Sequence, residues 1–189
     1  MEGNNKIVKN YLPFAWEIIK LVVIASVIVF PIRYFLFQPF IVRGESMIPS
    51  FKSGDYLIVD EISYRFSDPQ RGDVIIFKYP KDATQRFIKR IIGLPNETVE
   101  IKDGKVTIYK DSNFVLFVLD EEYLPDDLET EGDTKVVLGQ DKYFVLGDNR
   151  DYSYDSRRWG TVPREYIIGK AFLRIFPVKS LSQIPTPSY

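Results

Sequence analysis

Apolar residues fall into two regimes along this chain. From Leu21 to Ile32 runs LVVIASVIVFPI, twelve residues without a charge. Extended from Ile18 to Phe37, the stretch reaches twenty residues, the length that spans a bilayer as a helix. Lys20 and Arg33 lie near its ends, where long side chains reach the headgroups. Trp16 and Tyr34 flank it as an interfacial aromatic belt would, and Pro31 kinks or ends it. The run is not amphipathic, and no A-x-A-like cleavage site follows it. These features predict one transmembrane helix over 18–37 rather than a buried core helix or a cleavable leader. Lys6, Lys9 and Lys20 on one side, against Arg33 and Arg43 on the other, tip residues 1–17 toward the cytoplasm.

After Phe37 the pattern becomes short β-rich runs. Pro39–Arg43, Tyr56–Asp60, Asp73–Tyr79, Gln85–Ile92, Thr98–Lys102, Lys105–Tyr109, Phe114–Leu119, Lys142–Leu146 and Lys170–Phe176 read as strands. Lys102-Asp103-Gly104-Lys105 is a hairpin signal, because Asp-Gly suits the turn joining two twisted strands. Long helical periodicity is missing here. The fold class is mainly β: antiparallel sheets in one β-rich domain over 38–189, with a small inserted β subdomain at about 96–141. Inside that insert, residues 120–133 (DEEYLPDDLETEGD) carry eight acidic side chains and read as a solvated loop without a core. The tail Gln183–Tyr189, with two prolines, is expected to be frayed or close to the membrane.

Composition narrows the chemistry. The 189 residues contain no cysteine and no histidine. Disulfides, thiol nucleophiles, thiolate or imidazole metal sites and a Ser-His-Asp triad are therefore all excluded. Any acid–base catalysis must use Lys, Asp, Glu or Tyr. A net charge of −1 gives no reason to expect a nucleic-acid partner.

Three segments could carry chemistry. In Arg86-Phe87-Ile88-Lys89-Arg90-Ile91-Ile92, alternation puts Phe87, Lys89 and Ile91 on one strand face, with Ile88, Arg90 and Ile92 on the other. A lysine between two apolar neighbours is either desolvated, and then a competent neutral base, or it snorkels to water from an edge strand. Ser46 sits in the turn Gly44-Glu45-Ser46-Met47-Ile48-Pro49-Ser50, where it is a cleft-facing hydroxyl or simply a turn residue. The segment Gly147–Gly160 (GDNRDYSYDSRRWG) is dense in charges and hydroxyls. It is either an ordinary polar loop or a rigid hydrogen-bonded platform.

These segments, in this order and behind such a helix, resemble type I signal peptidases, the Ser-Lys dyad leader peptidase family (peptidase S26). The serine box matches Ser46-Met47-x-Pro49, and the Arg-Gly-Asp strand matches Arg71–Phe77. The lysine box matches Phe87–Pro95, and the last box matches residues 147–160 throughout. The resemblance covers roughly residues 14–176, and four ordered boxes are far more specific than one short motif. It implies a membrane-bound serine endopeptidase of signal peptidase fold that removes signal peptides from exported preproteins, with Ser46 as nucleophile and Lys89 as general base. It implies that Ser153 hydrogen-bonds and orients the lysine, and that Asp155, Arg157 and Arg90 form a supporting ion network. It implies that the segment Phe40–Arg43, with Phe40 at its start, pairs with extended substrate. By the same resemblance, Val42 and Ile88 are expected to line shallow pockets selecting an Ala-x-Ala site. The partners implied are preprotein signal peptides and membrane phospholipid, with no cofactor and no metal. The localisation implied is single-pass in a bacterial plasma membrane, or alternatively an organelle membrane, with the catalytic domain on the outer face.

Two positions depart from the pattern. Gly44 stands where some members carry a hydroxyl residue that supplies a second oxyanion donor, and Ser50 replaces a usual threonine. Gly44 keeps open an inactive or dedicated membrane-anchored binding homologue. A self-cleaving Ser-Lys repressor protease is disfavoured by the N-terminal apolar run and by the lack of a basic DNA-binding domain.

Overall fold

The computed structural model describes residues 14–27, 37–110, 115–125, 128–177 and 180–187. The chain divides into two units, Met1–Gln38 and Pro39–Tyr189. In the first, residues 14–27 are helical (α1), and every described side chain on that helix is exposed. Among the described residues no helix is long and apolar enough to cross a membrane. Residues 28–36 of the predicted span lie outside the described residues.

The second unit is mainly β and antiparallel. Its large sheet holds β1 (Phe37–Ile41, in this unit from Pro39 onward), β2 (Tyr56–Asp60), β3 (Val74–Tyr79), β4 (Asp82–Gly93), β9 (Lys142–Leu146), β10 (Val162–Pro163), β11 (Ile167–Phe176) and β12 (Ser182–Gln183). The spatial order is β1-β2-β11-β3-β4-β9-β10, with β12 beside β11. The smaller sheet holds β5 (Thr98–Lys102), β6 (Lys105–Tyr109), β7 (Val115–Val118) and β8 (Thr134–Val137), in the order β7-β6-β5-β8. Two four-residue helices, α2 (Ser63–Phe66) and α3 (Ser156–Trp159), also belong to this unit.

Alternation explains how one sheet separates two cores. Along β3, Val74 and Ile76 enter a cluster with Val42, Met47, Phe51 and Ile88. Ile75, Phe77 and Tyr79 point the other way, against Ile91, Val145 and Trp159. A strand buried on both faces reads as a continuous apolar run, as Val74–Phe77 does. Ile92, Phe144 and Leu146 extend into a third cluster with Val99, Ile101, Val106 and Ile108, which packs the small sheet.

Several expectations shift in detail. β2, β5, β6 and β9 have the predicted bounds, and the Asp103-Gly104 turn has positive φ at both residues (51° and 74°), as a primed hairpin turn requires. β4 begins at Asp82, three residues earlier than its pattern suggests, because Asp82–Arg86 has no buried side chain to reveal a period. β8, β10 and β12 are strands the sequence does not announce. The acidic segment 120–133 is not merely solvated: Leu124 and Thr130 are buried. The tail is held as well, with Ile184 in a core cluster and Thr186 Oγ1 donating to Asp73 Oδ1 at 3.0 Å.

Candidate active site

Ser46 is presented by a tight turn between β1 and β2. Met47 and Phe51, both buried, anchor the turn in the core on either side of a Phe51 N–H to Met47 carbonyl bond of 2.8 Å. Gly44 has φ of +88°, a conformation that favours glycine, and open space where a side chain would stand. The loop after β9 clamps the same turn. Asn149 donates its backbone N–H to the Ser46 carbonyl (3.1 Å) and its side-chain amide to the Glu45 carbonyl (3.0 Å). Gly147 lies so close that a β-carbon there would collide with Ser153 Oγ and the Ser46 carbonyl, so only glycine fits.

Lys89 comes from β4, in register with Ile75 of β3. Its face carries Phe87 and Ile91, and it is 4% exposed. Lys89 Nζ lies 2.6 Å from Ser46 Oγ and 2.9 Å from the Ile88 carbonyl oxygen. Both hydrogen-bond partners among the described residues are uncharged. Burial therefore governs its titration and pulls the ammonium down to about 8, while the charges of Asp155 and Asp148 oppose that shift from farther away. Such a lysine is half neutral at about pH 8, and in that form its lone pair is available to the serine hydroxyl.

The remaining predicted residues sort less simply. Arg90 has Asp148 as its carboxylate partner, whereas Arg157 has Asp155. Arg90 makes a bidentate pair with Asp148, Nε to Oδ1 at 2.9 Å and Nη2 to Oδ2 at 2.6 Å, with both side chains almost wholly buried. Arg157 separately pairs with Asp155 (Nε to Oδ1, 2.9 Å), whose Oδ2 also accepts the Gly147 N–H at 3.1 Å. Asp155 caps α3 in addition, accepting the Arg157 N–H. The 147–150 backbone connects the two pairs: Asp148 belongs to it, and Arg157 Nη2 donates to the Arg150 carbonyl at 2.5 Å. Ser153 does not bond Lys89. Its Oγ is buried, packs on Gly147, and finds no hydrogen-bond partner among the described residues.

A groove of about 680 Å³ opens over the serine and lysine. One wall is Pro39–Ile41 with Arg43–Glu45, the other is Thr84 and Arg86–Lys89, and Tyr152 and Tyr154 close one side. Phe40 and Ile88 line this groove. Val42 does not: it is 2% exposed and belongs to the apolar cluster that also contains Ile88. Reading the sequence alone missed Asp148, the carboxylate that neutralises Arg90, and Asn149, which ties down the serine turn. Both stand in the 147–160 box, but nothing in a linear pattern assigns their partners. Among the described residues no group of three metal-ligating side chains could hold an ion.

Residues 15–176 match the family described as signal peptidase, peptidase S26. The chain is 42% identical over 184 residues to signal peptidase I of Leptolyngbya laminosa, covering 92% of this chain and 86% of that protein. It is 38% identical over 186 residues to the probable signal peptidase I-1 of Synechocystis sp. (strain ATCC 27184 / PCC 6803 / Kazusa), covering 92% and 90%. Against signal peptidase I P of Bacillus subtilis subsp. natto it is 37% identical over 170 residues, covering 85% and 88%.

Proposed function

The chain belongs to the signal peptidase family, peptidase S26, and from that premise we propose that it is a membrane-bound serine endopeptidase removing signal peptides from exported preproteins, with Ser46 as nucleophile and Lys89 as general base. One observation carries the assignment of roles. A desolvated lysine stands 2.6 Å from a serine hydroxyl in a chain that has no histidine or cysteine to do the same work.

Neutral Lys89 takes the proton from Ser46 Oγ as that oxygen attacks the scissile carbonyl carbon. The Ser46 backbone N–H donates to the developing oxyanion. Lys89, now an ammonium, returns the proton to the departing amine nitrogen, leaving an acyl ester on Ser46. Lys89 then takes a proton from water, whose oxygen attacks the ester, and Ser46 regains its hydrogen. Ser153 packs its buried hydroxyl on Gly147, in the loop that ties down the serine turn, without bonding Lys89. Asp155, Arg157 and Arg90 hold the surrounding loops. Charged hydrogen bonds of this kind fix geometry more strongly than neutral ones.

Substrate enters as an extended strand between the 39–43 segment and β4, with Phe40 and Ile88 beside it and Val42 behind the groove. Shallow apolar pockets there select small residues, an Ala-x-Ala site, one methylene being worth about 1–3 kcal/mol. The domain plan is a cytoplasmic segment 1–17, a membrane span 18–37, and a peptidase domain 38–189 with an insert at about 96–141. It faces the outer side of a bacterial plasma membrane or the equivalent side of an organelle membrane. Support for the anchor comes from α1, whose described apolar residues, Leu21 to Ile24 among them, are all exposed.

The test is cleavage of a preprotein with an Ala-x-Ala site, in detergent with phospholipid. Wild type cuts at that site, and Ser46→Ala and Lys89→Ala do not. Failure of wild-type protein to cut overturns the peptidase reading in favour of a binding homologue.

A further inference from the structure

The acidic segment of the insert touches both halves of the dyad's support. Arg150 is among the most deeply buried side chains, at 1% exposed. Its guanidinium donates to Glu121 Oε2 at 2.6 Å and also to Glu121 Oε1 and Thr130 Oγ1. Its Nε donates to the Gly147 carbonyl at 3.1 Å, so the side chain curls back over its own loop and fixes the turn 147–150. From that turn Asn149 reaches the Ser46 and Glu45 carbonyls. Tyr123, two residues beyond Glu121, donates its hydroxyl to Glu121. Its hydroxyl also accepts from Arg150 Nη2 at 3.3 Å, and its ring lies 3.9 Å from the Arg90 guanidinium. Arg90 is the strand neighbour of Lys89. A single stretch of the insert is thus bonded to the serine side through Arg150 and stacked on the lysine side through Arg90.

We propose that Glu121 is a positioning residue for the peptidase reaction: by clamping Arg150 it holds the 147–150 turn that sets the Ser46 turn against Lys89. The inference rests on the Ser46–Lys89 reading above. Its physical basis is that a buried guanidinium is held by its counter-charge, and removal of one partner frees the other to move. Misplacement of a nucleophile by about 1 Å costs on the order of 10²-fold in rate. Glu121 lines no part of the groove, so substrate binding is untouched.

The experiment compares full-length wild type, Glu121→Ala, Glu121→Gln and Glu122→Ala in detergent micelles, cutting a fluorogenic Ala-x-Ala peptide. Concentrations are referred to titrated active sites. Ser46→Ala serves as a control: if its activity equals wild type, the dyad reading itself has failed, separately from this inference. With the dyad sound, Glu121→Ala lowers kcat about ten- to a hundredfold per active site. KM stays within about twofold, because the groove is intact. The rising limb of its pH profile moves to higher pH, because a loosened loop lets water reach Lys89. Glu121→Gln, which keeps the shape and part of the bonding, falls between and covers the case in which the alanine variant fails to fold. Glu122→Ala, on an exposed neighbour, matches wild type. Unchanged kcat and pH midpoint per active site in Glu121→Ala or Glu121→Gln overturns the proposal, and so does a loss seen only in KM.

Discussion

The two faces of β4 treat buried cations in opposite ways. Lys89 and Arg90 are adjacent, 4% and 3% exposed, and point to opposite sides of the sheet. Arg90 meets a full carboxylate in a two-bond fork, donates to the Gly72 carbonyl at 2.9 Å, and rests on the Tyr123 ring. Lys89 is hydrogen-bonded to a hydroxyl and a carbonyl oxygen. Equal burial therefore has opposite consequences. Where the counter-charge is in contact, the cation stays charged and braces the structure. Where the nearest charges act only from a distance, desolvation wins and the cation sheds its proton near pH 8. Residue type fits each role, since a guanidinium keeps its proton and an ammonium does not.

The contrast breaks most severely at Lys89 itself. Lys89→Arg keeps a cation there but removes the base, and kcat falls by about 10³-fold or more, read in a preprotein cleavage time course. Asp148→Asn attacks the other face. It leaves Arg90 buried without its counter-charge, and denaturant unfolding should show a loss of about 3–5 kcal/mol. Lys89→Met sharpens the comparison in the opposite direction. A fall from the ordinary 10.5 to about 8 means that the folded state holds fewer protons than the unfolded state between those values. Stability then rises with pH across that window, and below pH 8 the buried ammonium costs up to about 3 kcal/mol. Lys89→Met is accordingly inactive yet more stable than wild type at pH 7, by up to that amount, and the gain shrinks as pH climbs from 8 to 10.5. The smallest effect belongs to Asp155→Asn. Asp155 opposes the desolvation of Lys89, so its removal lowers the Lys89 pKa further and moves the rising limb of kcat/KM to lower pH.

Strands with one buried face were legible because alternation is a local property. β5 and β6 alternate over Thr98–Tyr109 with a glycine turn between them, and their bounds follow directly. β8 was hidden because Thr134–Val137 buries none of its four side chains. The positions of Ser46 and Lys89 were visible through ordered motifs, and the absence of histidine made their pairing chemically sensible. Pairings across space were not. Asp148 lies 58 residues from Arg90, and Glu121 lies 29 from Arg150. An acidic run looks solvated in sequence whether or not one of its carboxylates reaches a buried arginine. Ser153 was expected on Lys89 but packs on Gly147, a close approach set by backbone geometry that spacing does not encode. Val42 shares strand parity with Phe40, yet β1 ends at Ile41 and the groove leaves Val42 out.

The most direct measurement is the pH dependence of kcat/KM for a signal-peptide substrate, with Ser46→Ala as the blank. A desolvated Lys89 acting as base predicts activity rising with pH through a midpoint near 8. A midpoint at the ordinary lysine value, or cleavage that persists without Ser46, would contradict the account.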